Sequence, residues 1–62
     1  MTKEEFKKIR ASLNMTQTQF AVALGFPERR QFISDIENGR MKVMPRTAIT
    51  AKLLFEQKRG GV

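Results

Sequence analysis

The side chains of this chain best suited to chemistry are suited to binding rather than to reaction. Arg29, Arg30, Gln31, Ser34 and Asp35 crowd into one short stretch. They offer forked N–H donors, an amide, a hydroxyl and a carboxylate, which is a recognition kit. The reagents of catalysis are missing. The sequence holds no histidine and no cysteine, so it has neither an imidazole base nor a thiolate nucleophile or ligand. Ser12 and Ser34 have no evident base beside them. Asp35 and Glu37 stand two apart and on a helix point in different directions. No glycine-rich phosphate loop and no metal-ligand cluster is present in the sequence. The expectation is a binding protein and not an enzyme, with no metal, no cofactor and no small-molecule ligand.

Sixty-two residues make one domain at most. A chain this short hides about 60% of its unfolded surface, so its core is marginal. Disulfides and thiolate metal sites are unavailable to it, which leaves a partner subunit or a bound polyanion as outside support. Twelve Lys and Arg against six Asp and Glu give a net charge of +6, and that excess points to a polyanion. No apolar run approaches the roughly 20 residues that cross a bilayer. The start, MTKEEFKK, has no signal-peptide character. A soluble, cytoplasmic protein is expected.

Four elements must position these residues. Thr2 and Glu5 form a capping-box pattern, followed by Phe6, Ile9 and Leu13 on one face and by Asn14, which tolerates left-handed backbone. That predicts helix 1 over Thr2 to Leu13. Thr16 with Gln19 repeats the pattern, Phe20, Ala21 and Leu24 make a stripe, and Gly25 stops the helix. Helix 2 is expected over about Gln17 to Leu24. Phe26 reads as a core plug. Pro27 suits either a turn or a first helical position. Phe32, Ile33 and Ile36, closed by Asn38-Gly39, predict helix 3 between Pro27 and Glu37. Arg40 to Met44 reads as a loop, and Pro45 opens helix 4. Helix 4 is apolar over more than one face, through Ala48, Ile49, Ala51, Leu53, Leu54 and Phe55. One small core needs only a narrower stripe, so a second buried surface is expected there. Residues 1–57 are read as the domain and 58–62 as a flexible tail. The expected core is Phe6, Ile9, Leu13, Phe20, Ala21, Leu24, Phe26, Ile33, Ile36, Ile49 and Leu53.

Two short amphipathic helices meeting at a glycine, in a basic chain, suggest a helix-turn-helix and therefore DNA. The stretches IRASLNMTQTQFAVALG and ISDIENGR, followed by the helix that Pro45 opens, resemble the Cro and phage-repressor type of helix-turn-helix protein, the Xre-like family. The resemblance spans about Phe6 to Leu54. It implies an all-α, four-helix bundle of the lambda-repressor-like type, without strands. It also implies a transcription regulator, most simply a repressor of a phage or mobile element, bound as a homodimer to a two-fold double-stranded operator. The second helix of such a motif docks in the major groove.

Anchored on Ile33-Ser34, the resemblance places the base-reading positions on Arg30, Gln31 and Phe32, with Ser34 and Asp35 next. The chemistry agrees, because Arg bridges guanine O6 and N7 while Gln pairs with adenine N6 and N7. Phe32 has two readings, a thymine methyl contact or core packing. Asp35 either accepts from cytosine N4 or orients a nearby arginine. Arg29 is assigned to phosphate or base. Gln17, at the start of helix 2, is implied to touch phosphate, as are Asn38, Arg40 and Lys42 after helix 3. Arg46 resembles a family position that approaches DNA near the dimer centre. Arg10 and Glu37 are implied to form a structural ion pair between helix 1 and the end of helix 3. The chain departs from the family pattern in FPERRQF, between Gly25 and Ile33, which is longer than usual. Either the turn is longer or helix 3 starts earlier. The chain also ends before the fifth helix that the family often carries, so four helices are expected, and the wide apolar surface of helix 4 is what suggests a dimer. The competing reading is a protein-binding helical module, an antitoxin or adaptor, that does not rely on DNA.

Overall fold

A computed structural model describes residues 1–60. Four helices follow one another: α1 (Lys3–Ser12), α2 (Gln17–Ala23), α3 (Arg30–Glu37) and α4 (Pro45–Gly60). No strand occurs among the described residues. The described fold is all-α.

The first two helices start alike. The Thr2 hydroxyl accepts the Glu5 N–H at 3.1 Å while the Thr2 N–H donates to Glu5 Oε1 at 3.0 Å. Thr16 and Gln19 repeat this at 3.1 and 2.9 Å. Each box satisfies two backbone donors that a helix start leaves over. Hydrogen bonding to the Thr2 backbone, and then to its side chain, holds the Glu5 carboxyl below the usual carboxylate range.

Three helices also end alike. The residue past each cap has positive φ: Asn14 at 56°, Gly25 at 88° and Gly39 at 82°. Two backbone bonds then close each end. They are Met15 N–H to Arg10 O with Asn14 N–H to Ala11 O, Phe26 N–H to Ala21 O with Gly25 N–H to Val22 O, and Arg40 N–H to Asp35 O with Gly39 N–H to Ile36 O. This is the Schellman pattern, which satisfies carbonyls the helix cannot use itself.

The core lies where α1, α2 and α3 meet, with α4 packed on α1. Phe6, Phe20, Ile33 and Ile36 are fully buried. The Phe6 and Phe20 rings meet at 5.1 Å and 51°, a tilted contact that aromatic pairs favour. Ala21 is buried between the motif helices, and α2 packs directly on α3. Leu13 and Phe26 are half-buried against this cluster.

Helix α4 corrects the expected core. Its buried residues are Thr47 and Ala51, whereas Ile49 is 60% exposed and Leu53 53% exposed. The reason is angular. At 100° per residue, positions 49 and 53 lie far round the helix from 47 and 51. Small side chains at 47 and 51 bring α4 close to the core, and Leu54 and Phe55 pack beside them half-buried. The larger Ile49 and Leu53 are left outside. Within the stretch read as a tail, α4 continues through Gly60, and the Lys58 ammonium donates to the Ser12 carbonyl at the end of α1. Gly61 and Val62 lie outside the described residues.

Candidate nucleic-acid interface

The longer stretch between Gly25 and Ile33 is taken up by the turn. Helix α3 begins at Arg30, not at Pro27. Pro27 and Glu28 form the corner of a tight turn closed by Arg29 N–H to Phe26 O at 3.2 Å. Glu28 sits at φ 66°, the third-position geometry of a type II turn, with proline in its preferred second place. A left-handed residue at 28 keeps the helix from starting earlier. Phe26 and Phe32 then stack across the turn, centroids 5.0 Å apart and 55° tilted. Phe32 is half-buried and packs against the core, which favours the packing reading of this side chain.

Helix α3 has two distinct faces. Ile33 and Ile36 are fully buried and anchor it. Arg29, Arg30 and Gln31 are exposed at its start, and no side chain caps that end. Unpaired N–H groups and the positive end of the helix dipole therefore coincide with two guanidinium groups. One turn on, Ser34 and Asp35 are half-buried. Gln31 Nε2 donates to Asp35 Oδ1 at 3.0 Å, and Arg40 Nη1 approaches the same oxygen at 3.4 Å. Asn38 Nδ2 donates to Ser34 Oγ at 3.2 Å.

The other side of the same helix end carries a deeper network. Arg10 Nε meets Glu37 Oε2 at 2.6 Å and Arg10 Nη2 meets Oε1 at 3.1 Å, a bidentate pair. Arg10 Nη1 also donates to the Met15 carbonyl at 2.9 Å. The Glu37 side chain is 5% exposed and that of Arg10 18%. Gln17 joins this group, with Nε2 3.2 Å from Glu37 Oε1. The amide assigned to phosphate from the sequence is thus turned toward the Glu37 carboxylate. The polar pattern of helix 2 gave no sign of that long-range partner.

Sequence reasoning also passed over Lys3. A Cβ placed on Gly39 would lie 3.1 Å from Lys3 Nζ, and Thr2, Lys3, Gly39 and Lys42 line one shallow groove. The start of α1 therefore abuts the segment after α3, and Lys3 adds its charge near Arg40 and Lys42. Both of these are exposed, as is Arg46 in the first turn of α4. Nothing in the local spacing of Lys3 signals this, because its neighbours come from the middle of the chain. Among the described residues no group of carboxylates could hold a metal, and no helix is long and apolar enough to cross a membrane.

A family model described as helix-turn-helix matches residues 6–51. No significant match was found among curated proteins, nor among solved structures. The matched segment runs from the first core phenylalanine to the buried alanine of α4, and so contains α2, the turn and α3 entire. With an anchored third helix whose first turn faces outward, the chain belongs to the Xre-like, lambda-repressor-type helix-turn-helix family of DNA-binding regulators.

Proposed function

We propose that this chain is a sequence-specific repressor that binds a two-fold operator as a homodimer, with the first turn of α3 in the major groove. The observation that carries the reading is the division of α3. Ile33 and Ile36 are wholly buried while Arg29, Arg30 and Gln31 are exposed at an uncapped helix start. In this reading Arg30, Gln31 and Ser34 face base edges, and Asp35 stands on the same edge. Lys3, Arg29, Asn38, Arg40, Lys42 and Arg46 supply the flanking phosphate contacts. Gln17 reaches phosphate only through its backbone N–H and the helix end, because its side chain is engaged by Glu37. The protein acts in the cytoplasm, on the nucleoid when bound.

The exposed pair Ile49 and Leu53 supports the dimer. They stand one turn apart on α4, and apolar side chains so placed gain by being covered. The same pair favours the second reading, a module that binds another protein, such as an antitoxin. Selection from a random duplex pool with the full chain separates the two. A repressor enriches a palindrome with half-sites about one helical turn apart. Its affinity falls steeply with salt, and Lys42→Ala weakens all sequences alike while flattening that dependence. Failure to enrich any sequence at low salt overturns the reading. Sedimentation at micromolar concentration and on the enriched duplex tests the dimer, and a monomer in both states defeats it.

A further inference from the structure

We infer that Asp35 does not read a base itself but fixes the Gln31 amide so that it accepts adenine and refuses guanine. The inference rests on the reading of the first turn of α3 as the base-contacting edge. Gln31 is exposed, and one turn behind it Asp35 Oδ1 receives its Nε2 at 3.0 Å. A carboxylate can only accept hydrogen bonds, so the nitrogen end of the amide has to face Asp35. The orientation follows from the chemistry of the partner. Arg40 Nη1 approaches the same oxygen at 3.4 Å, so the carboxylate sits between two donors.

An unrestrained glutamine is free to turn its amide over, and can then offer two N–H groups outward or its oxygen. With one N–H held by Asp35, Gln31 has one donor and one acceptor left. Adenine presents the complement of that pair in the major groove, N7 as acceptor and the N6 amino group as donor. Guanine presents two acceptors, N7 and O6, so Gln31 Oε1 would meet O6 with lone pair against lone pair. The i to i+4 spacing of 31 and 35 is what lets one helix hold both groups. Asp35 is therefore a positioning residue, and the specificity is displayed by Gln31.

The test uses the full chain and a random duplex pool, comparing the wild type with Gln31→Ala, Asp35→Asn and Asp35→Ala. In the selected site, one position should prefer adenine about tenfold over guanine. All three variants should flatten that same position and leave the other positions and the salt dependence of binding in place. Asp35→Asn keeps the size of the side chain but can donate as well as accept, so it frees the amide to turn. If the Asp35 variants alter a position that Gln31→Ala does not, or leave the adenine position intact, the inference is overturned. The same holds if the position lost in Gln31→Ala prefers another base. A DNA-free measurement separates this from failure of the repressor reading. The Gln31 side-chain NH2 signals should show slowed exchange in the wild type and lose it in Asp35→Ala. Absence of that protection overturns the inference alone, whereas a pool without any enriched sequence overturns it together with the reading on which it rests.

Discussion

Two carboxylates on α3, Asp35 and Glu37, hold the same kinds of partner, one arginine and one glutamine each. Glu37 takes Arg10 and Gln17, from two other helices, in a bidentate pair that is almost shut off from water. Asp35 takes Gln31 and Arg40 from its own helix and the residues just after it, with a side chain 25% exposed and a longer, single contact to its arginine. Two residues on a helix differ by about 200°, which is enough to give equal chemistry opposite duties. The inner group ties α1, α2 and α3 together. The outer group joins nothing distant and can only arrange the surface.

Four substitutions set the two groups apart, and Glu37→Ala is the most damaging. It strands the Arg10 guanidinium in a place with little water, at a cost of about 3 kcal/mol, near the low end for buried pairs because Arg10 retains some exposure. Urea unfolding should show most of the stability of this small domain gone, and an intact midpoint would mean that the inner network is ornamental.

Arg30→Ala comes next, but on a different axis. It should weaken binding to the selected duplex by about 1–3 kcal/mol and loosen one base position, while the unfolding midpoint stays put. A titration in which every sequence weakens equally would show that Arg30 contacts phosphate.

Glu28→Gly tests the turn between α2 and α3. Left-handed backbone costs a side-chain-bearing residue about 1–2 kcal/mol, and glycine returns part of this through its greater freedom when unfolded. A net gain of about 0.5–1 kcal/mol in thermal unfolding is expected, with the base preferences unchanged. A loss of stability would mean that the Glu28 side chain makes a contact of its own.

Asp35→Ala should cost little stability, about 0.5 kcal/mol or less, as for other surface pairs one turn apart. A loss as large as that in Glu37→Ala would erase the distinction between the two groups.

Much of this was legible beforehand because local rules carry it. The threonine caps at 2 and 16, and the stops at Asn14, Gly25 and Gly39, are fixed by residues a few positions apart, and those helices stand where the spacing put them. The start of α3 was ambiguous, since Pro27 suits a turn as well as a helix and glutamate at 28 does not announce a left-handed residue. In α4 the apolar residues run round the helix. Pattern alone favoured the bulky Ile49 and Leu53 for the core, and packing chose the small Thr47 and Ala51. The engagement of Gln17 by Glu37, and the approach of Lys3 to Gly39, join residues far apart in sequence. No short-range signal encodes them.

Because α3 is held by Ile33, Ile36, Phe32 and the Glu37 network, Arg29, Arg30 and Gln31 carry almost no architectural duty. Substitutions at 29, 30 and 31 can therefore accumulate without endangering the scaffold. A descendant of this protein is able to drift to a new target, or escape cross-talk with a sibling, by changing a handful of codons.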